Sequence, residues 1–259
     1  MGARRYVGSW AAVPGSPTRH LKVRRDEWEH GVPDELLYEL NGVRLPHDDS
    51  IITPQVARAL TRGNYERPEV LALPKFLDPG DRVLELGAGI GYISSYAAKV
   101  IGVEHVTCVE ANPALAFYIR RAHDIQGLAN TDIRNCVALP DTAPMSPDKT
   151  MDFHIREPFW SSSLEPGRDA IEVKRVPQAY LSDLIAKSRA TALIVDIEGG
   201  ERDLFDGGDL GSVNRIYLEL HTRYIRPSGI KACFDALSKH GFYYDQRVSH
   251  GGVVLFRKL

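Results

Sequence analysis

Arg82-Val-Leu-Glu-Leu-Gly87-Ala-Gly89-Ile-Gly91-Tyr92 is the stretch that decides the fold. It begins as a short apolar run closed by glycines, the pattern of a strand buried on both faces of a parallel sheet. Ile93, Tyr96, Ala97, Val100 and Ile101 then recur at helical spacing. The glycines therefore lie where a strand gives way to a helix, in a loop that turns sharply and lets a ligand approach its backbone. A dinucleotide fingerprint, G-x-G-x-x-G, would place its third glycine where Tyr92 stands. Here that glycine comes one residue early, at Gly91. Glu85 would also repel a pyrophosphate, whereas it suits the cationic amino group of a bound amino acid. A nicotinamide-dependent oxidoreductase is thus disfavoured. A tight strand-to-helix turn with an incidental glutamate is the bland alternative.

Outward from this loop the chain alternates. Residues 105–109 read as a second strand, ending in Val109-Glu110-Ala111-Asn112-Pro113, and Leu115, Tyr118, Ile119 and Ala122 line a helix that ends near Gly127. Glu110 falls about 20 residues after the glycine loop, where an acid can accept both hydrogen bonds of a ribose diol. Residues 131–139 form the expected third strand, 192–196 the most apolar one and 215–221 another. Leu181, Leu184 and Ile185 mark one intervening helix, and Ile230, Cys233, Phe234 and Leu237 mark a second, stopped by Gly241. Two strands close the chain around Ser249-His250-Gly251-Gly252, a hairpin turn. Such alternation predicts an α/β fold with right-handed crossovers and a mostly parallel sheet covered by helices on both faces.

Before the sheet, residues 1–35 read as a loosely structured arm carrying Pro14, Pro17 and Pro33. Residues 36–80 predict a hairpin turning at Asn41-Gly42 and two short helices, 52–61 and 68–77, packed on the core, with the main domain at 81–259. Residues 151–176 interrupt the rhythm as an inserted β-hairpin, whose tip, Trp160-Ser161-Ser162-Ser163, is a candidate wall of a substrate site.

Composition narrows the class. The 259 residues are 43% hydrophobic and 25% charged, as in ordinary soluble globular proteins. Three separated cysteines, Cys108, Cys136 and Cys233, form no C-x-x-C pair, which fits a reducing cytoplasm and argues against structural zinc. A net charge of −2 predicts no nucleic-acid footprint. No apolar run approaches the roughly 20 residues that span a bilayer, and none follows Met1-Gly2-Ala3-Arg4-Arg5 as a signal peptide requires. Arg4, Arg5, Arg19, Lys22, Arg24 and Arg25 concentrate positive charge near the start, read as a solvated arm.

Sheets of this type bind ligands at the carboxyl ends of their strands. The strand after residue 192 ends in Asp196-Ile-Glu198-Gly-Gly-Glu201, and period two places Asp196 and Glu198 on one side. Glu219-Leu-His221 ends the next strand with the same alternation. Four titratable groups are thus expected to converge at one edge. The alternative is that Asp196 and Glu198 cap the helix opening near Gly200. Glu201, in the first turn of that helix, reads as structural.

The spacing E-x-G-x-G-x-G resembles the first motif of class I methyltransferases, whose loop wraps the methionine end of S-adenosylmethionine. The resemblance narrows to the FkbM family: Asp196-Ile-Glu198-Gly-Gly-Glu201 is similar to its D-x-E-G-x-E signature, with Gly200 where alanine is common. Gly63-Asn64-Tyr65-Glu66, the hairpin at Trp160 and residues 176–184 follow in the family's order, so the likeness covers roughly residues 40–255. It implies a Rossmann-like doubly wound sheet of seven strands with a C-terminal antiparallel hairpin. It also implies S-adenosylmethionine as cofactor, held by Tyr65, Glu66, Glu85, Gly87, Ala88, Gly89, Gly91, Glu110, Ala111 and Asn112. The implied reaction is methyl transfer to a hydroxyl of a sugar or other small molecule, without nucleic acid or membrane, the oligomeric state being open. Asp196 or His221 is the expected base, Glu198 the residue that orients the acceptor, and Trp160, Ser161, Ser162 and Glu219 the substrate contacts. No metal is assigned, although Asp196, Glu198 and Glu219 form an alternative cation set. A catalytically silent S-adenosylmethionine-binding module and methylation of nitrogen are the competing functions.

Overall fold

The computed structural model describes residues 20–21, 37–157 and 170–259. A short strand β1 (His20–Leu21) pairs with β2 (Leu37–Leu40), which turns into β3 (Val43–Pro46). Asn41 and Gly42 both take positive φ, 51° and 82°, as a two-residue hairpin loop demands. Helix α1 (Pro54–Arg62) opens on Thr53, whose side chain accepts from the Val56 N–H, and closes on left-handed Gly63. Helix α2 (Arg67–Ala72) runs into a 3-10 turn, Leu73–Lys75.

The remaining elements build the sheet: β4 (Arg82–Leu86), α3 (Tyr92–Tyr96), β5 (His105–Val109), α4 (Pro113–Ile125), β6 (Thr131–Arg134), β7 (Val137–Leu139), β8 (Thr150–Ile155), β9 (Glu172–Tyr180), α5 (Leu181–Ser188), β10 (Ala192–Val195), β11 (Arg215–Glu219), α6 (Thr222–Lys239), β12 (Phe242–Tyr244) and β13 (Val253–Lys258). Seven strands lie in the order β12-β13-β11-β10-β4-β5-β6. Five are parallel, and β13 enters antiparallel to β11 with β12 antiparallel on its outer side. This is the expected Rossmann-like doubly wound sheet with its C-terminal hairpin.

Alternation along the strands divides the core in two. Val83, Val106 and Ile194 face one side, where they meet Ile93, Leu115, Tyr118 and Ile119 of α3 and α4 and Val43 and Leu45 of the N-terminal hairpin. Leu84, Leu193 and Val195 face the other, against Leu181, Leu184 and Ile185 of α5 and Cys233 and Leu237 of α6. Both faces are buried, which is why the strands read as continuous apolar runs rather than alternating ones.

Three expectations need correction. Residues 131–139 are two strands, not one. β6 stays in the main sheet, whereas β7 leaves it to pair in parallel with β9, which is also antiparallel to β8. The break falls at Asn135, whose side-chain amide donates to the carbonyls of Glu110 and Ala111 at 2.8 and 2.9 Å, replacing ladder bonds with a link to the end of β5. Val100, assigned to the buried face of its helix, is 45% exposed, because Ala97–Ile101 forms a π-turn that shifts the helical phase. The last helix starts earlier than its apolar pattern suggested, at Thr222, and kinks where Arg226 precedes Pro227. The inserted hairpin exists as β8 and β9, and the arm expected to be loose over 1–35 contributes the strand β1 at His20–Leu21, but its other residues and the tip with Trp160, Ser161 and Ser162 lie outside the described residues.

Candidate active site

The glycine loop is fixed from both sides. Gly87 and Ala88 N–H groups donate to the Val109 carbonyl at 2.9 and 3.3 Å, and the Asp196 N–H donates to the Leu86 carbonyl at 2.9 Å. Gly87 has φ 81°, and a Cβ there would sit 1.7 Å from the Asp196 carbonyl oxygen. Gly91, at φ 70°, packs against Ile119, 3.1 Å from where its own Cβ would lie. Gly89 differs: its φ is 54°, and a Cβ there would meet nothing within 4 Å. Two glycines thus serve packing, and the middle one faces open space.

That space is a cavity of about 350 Å³ at the carboxyl ends of β4, β5 and β10, within the range of small-ligand sites. Tyr65, Glu66, Gly87, Gly89, Glu110, Ala111 and Asn112 all line it, as do Asp196 and Glu198. Glu85 and Ala88 line a second, smaller cavity of about 80 Å³ behind the loop, and Gly91 lines neither. The sequence pattern did not mark Gln55 on α1, Cys136 just before β7, Val137 on β7 or Phe153 on β8, which also line the larger cavity. Nothing in their local spacing sets them apart.

Glu110 organises the cavity wall at the end of β5. One carboxylate oxygen accepts from the Gly89 N–H at 2.9 Å, and the other from the Asn112 N–H at 2.7 Å. The Asn112 side chain in turn accepts from the Ala114 N–H at 3.0 Å and caps α4. Burial raises the Glu110 pKa to about 7, against the lowering effect of these backbone donors. Glu85, 3% exposed, is pushed up to about 8 by burial, with Ser94 and Cys108 opposing. Its Oε2 finds no hydrogen-bond partner. Burial and then the charges of Asp196 and Glu85 raise Glu66 as well.

Around His221 the acids converge, though not by strand alternation. β10 ends at Val195, and the chain then turns through Glu198 (φ 50°) and Gly199 (φ 108°) into a 3-10 turn, Gly200–Arg202. It is this turn, and not period two, that brings Glu198 beside Asp196. The His221 Nε2 lies 3.3 Å from Glu198 Oε2, 3.5 Å from Asp196 Oδ1 and 3.8 Å from Glu219 Oε1. Its Nδ1 is 2.5 Å from Oε1 of Glu201, which is completely buried and also accepts from the Gly199 N–H at 3.1 Å. Glu201 therefore holds the imidazole in place, more than a helix-turn acid need do. Burial lowers the His221 pKa, but the surrounding carboxylates, Glu201 foremost, outweigh it and the net shift is upward. Asp196 is also raised, by burial first and then by Glu219.

Glu66 and Glu198 both hold left-handed backbone, φ 43° and 50°. Such conformations cost of order 1–2 kcal/mol for residues with a Cβ. Both strained acids line the larger cavity, and strain of this kind concentrates at functional sites.

Among the described residues no helix is long and apolar enough to cross a membrane. Among curated proteins no sequence matches. Similar solved structures include M. jannaschii TYW2 in complex with AdoMet, 14% identical over 89% of each chain with a TM-score of 0.46. Trm5b from Pyrococcus abyssi is 16% identical over 86% of this chain and 55% of its own, with a TM-score of 0.45. A putative transferase from Pyrococcus horikoshii, PH0793, is 13% identical over 88% and 73%, with a TM-score of 0.44. The sequence model of the methyltransferase FkbM domain matches residues 85–244, more than half of the chain. With a motif-bearing cavity at the strand ends and that match, the chain belongs to the FkbM family of S-adenosylmethionine-dependent methyltransferases.

Proposed function

We propose that this methyltransferase acts on a hydroxyl oxygen of a small molecule, a sugar or a secondary metabolite. The observation that carries the reading is the imidazole–carboxylate cluster of Asp196, Glu198, Glu219 and His221 beside the cofactor cavity. A hydroxyl is a poor nucleophile until its proton has somewhere to go, and an ionised carboxylate or neutral imidazole of this cluster can take it. Glu110 would take the ribose diol, the Gly87–Gly89 backbone would follow the methionine chain, and Glu85 would answer its ammonium. Tyr65 and Glu66 close the cavity from the side of α2.

In the reaction the acceptor oxygen forms a bond to the methyl carbon while the methyl–sulfur bond breaks. The electron pair stays on sulfur, leaving the thioether of S-adenosylhomocysteine, and the hydroxyl proton passes to Asp196 or His221. Glu198 orients the acceptor. In-line positioning contributes up to ~7–11 kcal/mol, whereas a proton acceptor contributes typically ~10²–10⁴-fold. Cavity shape therefore contributes more to the rate than the base does. Incubation with methyl-labelled S-adenosylmethionine and paired hydroxyl and amine acceptors tests the reading. Label in a methyl ether supports it. Label on nitrogen alone refutes it, as does tight cofactor binding with no transfer to any acceptor, the behaviour of a silent binding module.

A further inference from the structure

We infer that Asp196, Glu219 and His221 form a binding site for one divalent first-row transition-metal ion, beside the second cavity, which Asp196 and Glu219 line. One oxygen of each carboxylate and one imidazole nitrogen lie within 4.8 Å of one another. Two ligands each about 2.1 Å from such an ion stand ~3.4 Å apart at the tetrahedral angle. The Nε2 of His221 is 3.5 Å from Asp196 Oδ1 and 3.8 Å from Glu219 Oε1, so these two pairs stand close to that spacing.

Three further observations point to a cation. The second cavity is lined by Glu66, Glu69, Glu85, Asp196 and Glu219, and no lysine, arginine or histidine is among its wall residues. Asp196 Oδ1 is sealed from solvent and accepts no hydrogen bond, although it faces the imidazole. Finally, Glu201 sits on Nδ1 of His221, and an Nδ1–H donated to that buried carboxylate leaves Nε2 facing Asp196 and Glu219, where a metal ion would take the place of its proton. A carboxylate behind a histidine in this way is the usual outer support of a metal-bound imidazole. Two carboxylate oxygens and one imidazole nitrogen suit Mn²⁺, with Fe²⁺ and Zn²⁺ as alternatives.

The ion's role rests on the proposed hydroxyl methylation, but its binding does not. As a Lewis acid it would lower the pKa of the acceptor hydroxyl, leaving uncoordinated Glu198 to take the proton. Asp196 and His221 would then act as ligands in place of proton acceptors.

The full-length chain, stripped with chelator and dialysed, is titrated with Mn²⁺ while the free-ion paramagnetic resonance signal is followed. One ion bound per chain is expected, with a rise in unfolding temperature. Glu219→Gln and Asp196→Asn, checked for fold by circular dichroism, should each weaken binding by more than the roughly 10–100-fold that an outer-shell partner is worth. No binding by the parent protein, or equal binding by both folded variants, overturns the inference. Methyl transfer undiminished in excess chelator overturns the ion's Lewis-acid role and leaves the hydroxyl reading standing. Ion binding without any transfer to a hydroxyl supports the site and removes only that reading.

Discussion

Gly87 and Gly89 are two residues apart, yet alanine at each should fail differently. At Gly87 the new Cβ would lie 1.7 Å from the Asp196 carbonyl oxygen, whereas carbon–oxygen approaches in proteins stop near ~3.3 Å. The loop and the end of β10 must therefore part by about 1.6 Å. That separation removes the hydrogen bond from the Asp196 N–H to the Leu86 carbonyl, and leaving its buried partners unpaired costs about 1–3 kcal/mol. Left-handed backbone with a Cβ adds about 1–2 kcal/mol. The sum, roughly 2–5 kcal/mol, corresponds to a fall in melting temperature on the order of 10 °C for a domain of this size. At Gly89 the Cβ meets no atom within 4 Å, so only the cost of left-handed backbone applies. The methyl group there projects into open space at the cavity wall, where the cofactor needs room. Gly89→Ala should therefore keep most of its stability and lose cofactor affinity, and Gly89→Val should abolish binding. Thermal circular dichroism and calorimetry with S-adenosylhomocysteine measure the two quantities on each variant. Melting of Gly87→Ala within about 2 °C of the parent, or unaltered affinity in Gly89→Ala, would refute the division of labour between these glycines.

Cofactor affinity should rise with pH through about 7, because ribose hydroxyls donate best to ionised Glu110 and its pKa is raised to that value; calorimetry at pH 6 and 8 checks this, and a flat profile contradicts it. Stability of the ligand-free protein should move the other way. Glu85 and Glu110 are raised to about 8 and about 7 in the fold, so between the ordinary carboxylate value and those values the unfolded chain binds fewer protons and stability falls as pH climbs. Melting temperatures that increase over that interval would count against both assignments. Glu198→Gly should release the left-handed strain and leave stability equal or up to ~1 kcal/mol higher while turnover drops at least about tenfold; denaturant titration and a methylation assay measure the pair. Asp196→Asn should lower turnover by roughly 10²–10⁴ with cofactor affinity changed less than about tenfold, and near-normal turnover would remove Asp196 from the mechanism.

Much of this was legible because burial on both sides leaves a plain mark. The strand at Arg82–Leu86, the helix face of Leu115, Tyr118 and Ile119 and the acid at Glu110 follow from local pattern, and the structure brings Gly87, Gly89 and Glu110 together around one cavity. The convergence of Asp196 and Glu198 was legible too, though for the wrong reason. Gly199-Gly200 signalled a turn, and the turn does what alternation was expected to do. Other features were hidden in tertiary contacts. Thr131 to Leu139 carries no glycine or proline to announce a break, and Asn135 creates one through carbonyls over 20 residues earlier. Glu201 meets His221 across a gap of 20 residues, a contact that no spacing rule reports.

The acid-lined wall also bears on turnover. S-adenosylmethionine enters with a sulfonium cation, and its product leaves as a neutral thioether. Every ionised carboxylate facing the cavity therefore holds the reactant more firmly than the spent cofactor. On the proposed reading Glu85 and Glu110 face the ammonium and the ribose, which reactant and product both carry, so the difference falls on the other acids around the cavity. The pocket's affinity thus weakens at the moment of transfer, so methylation itself loosens the grip on what must next depart.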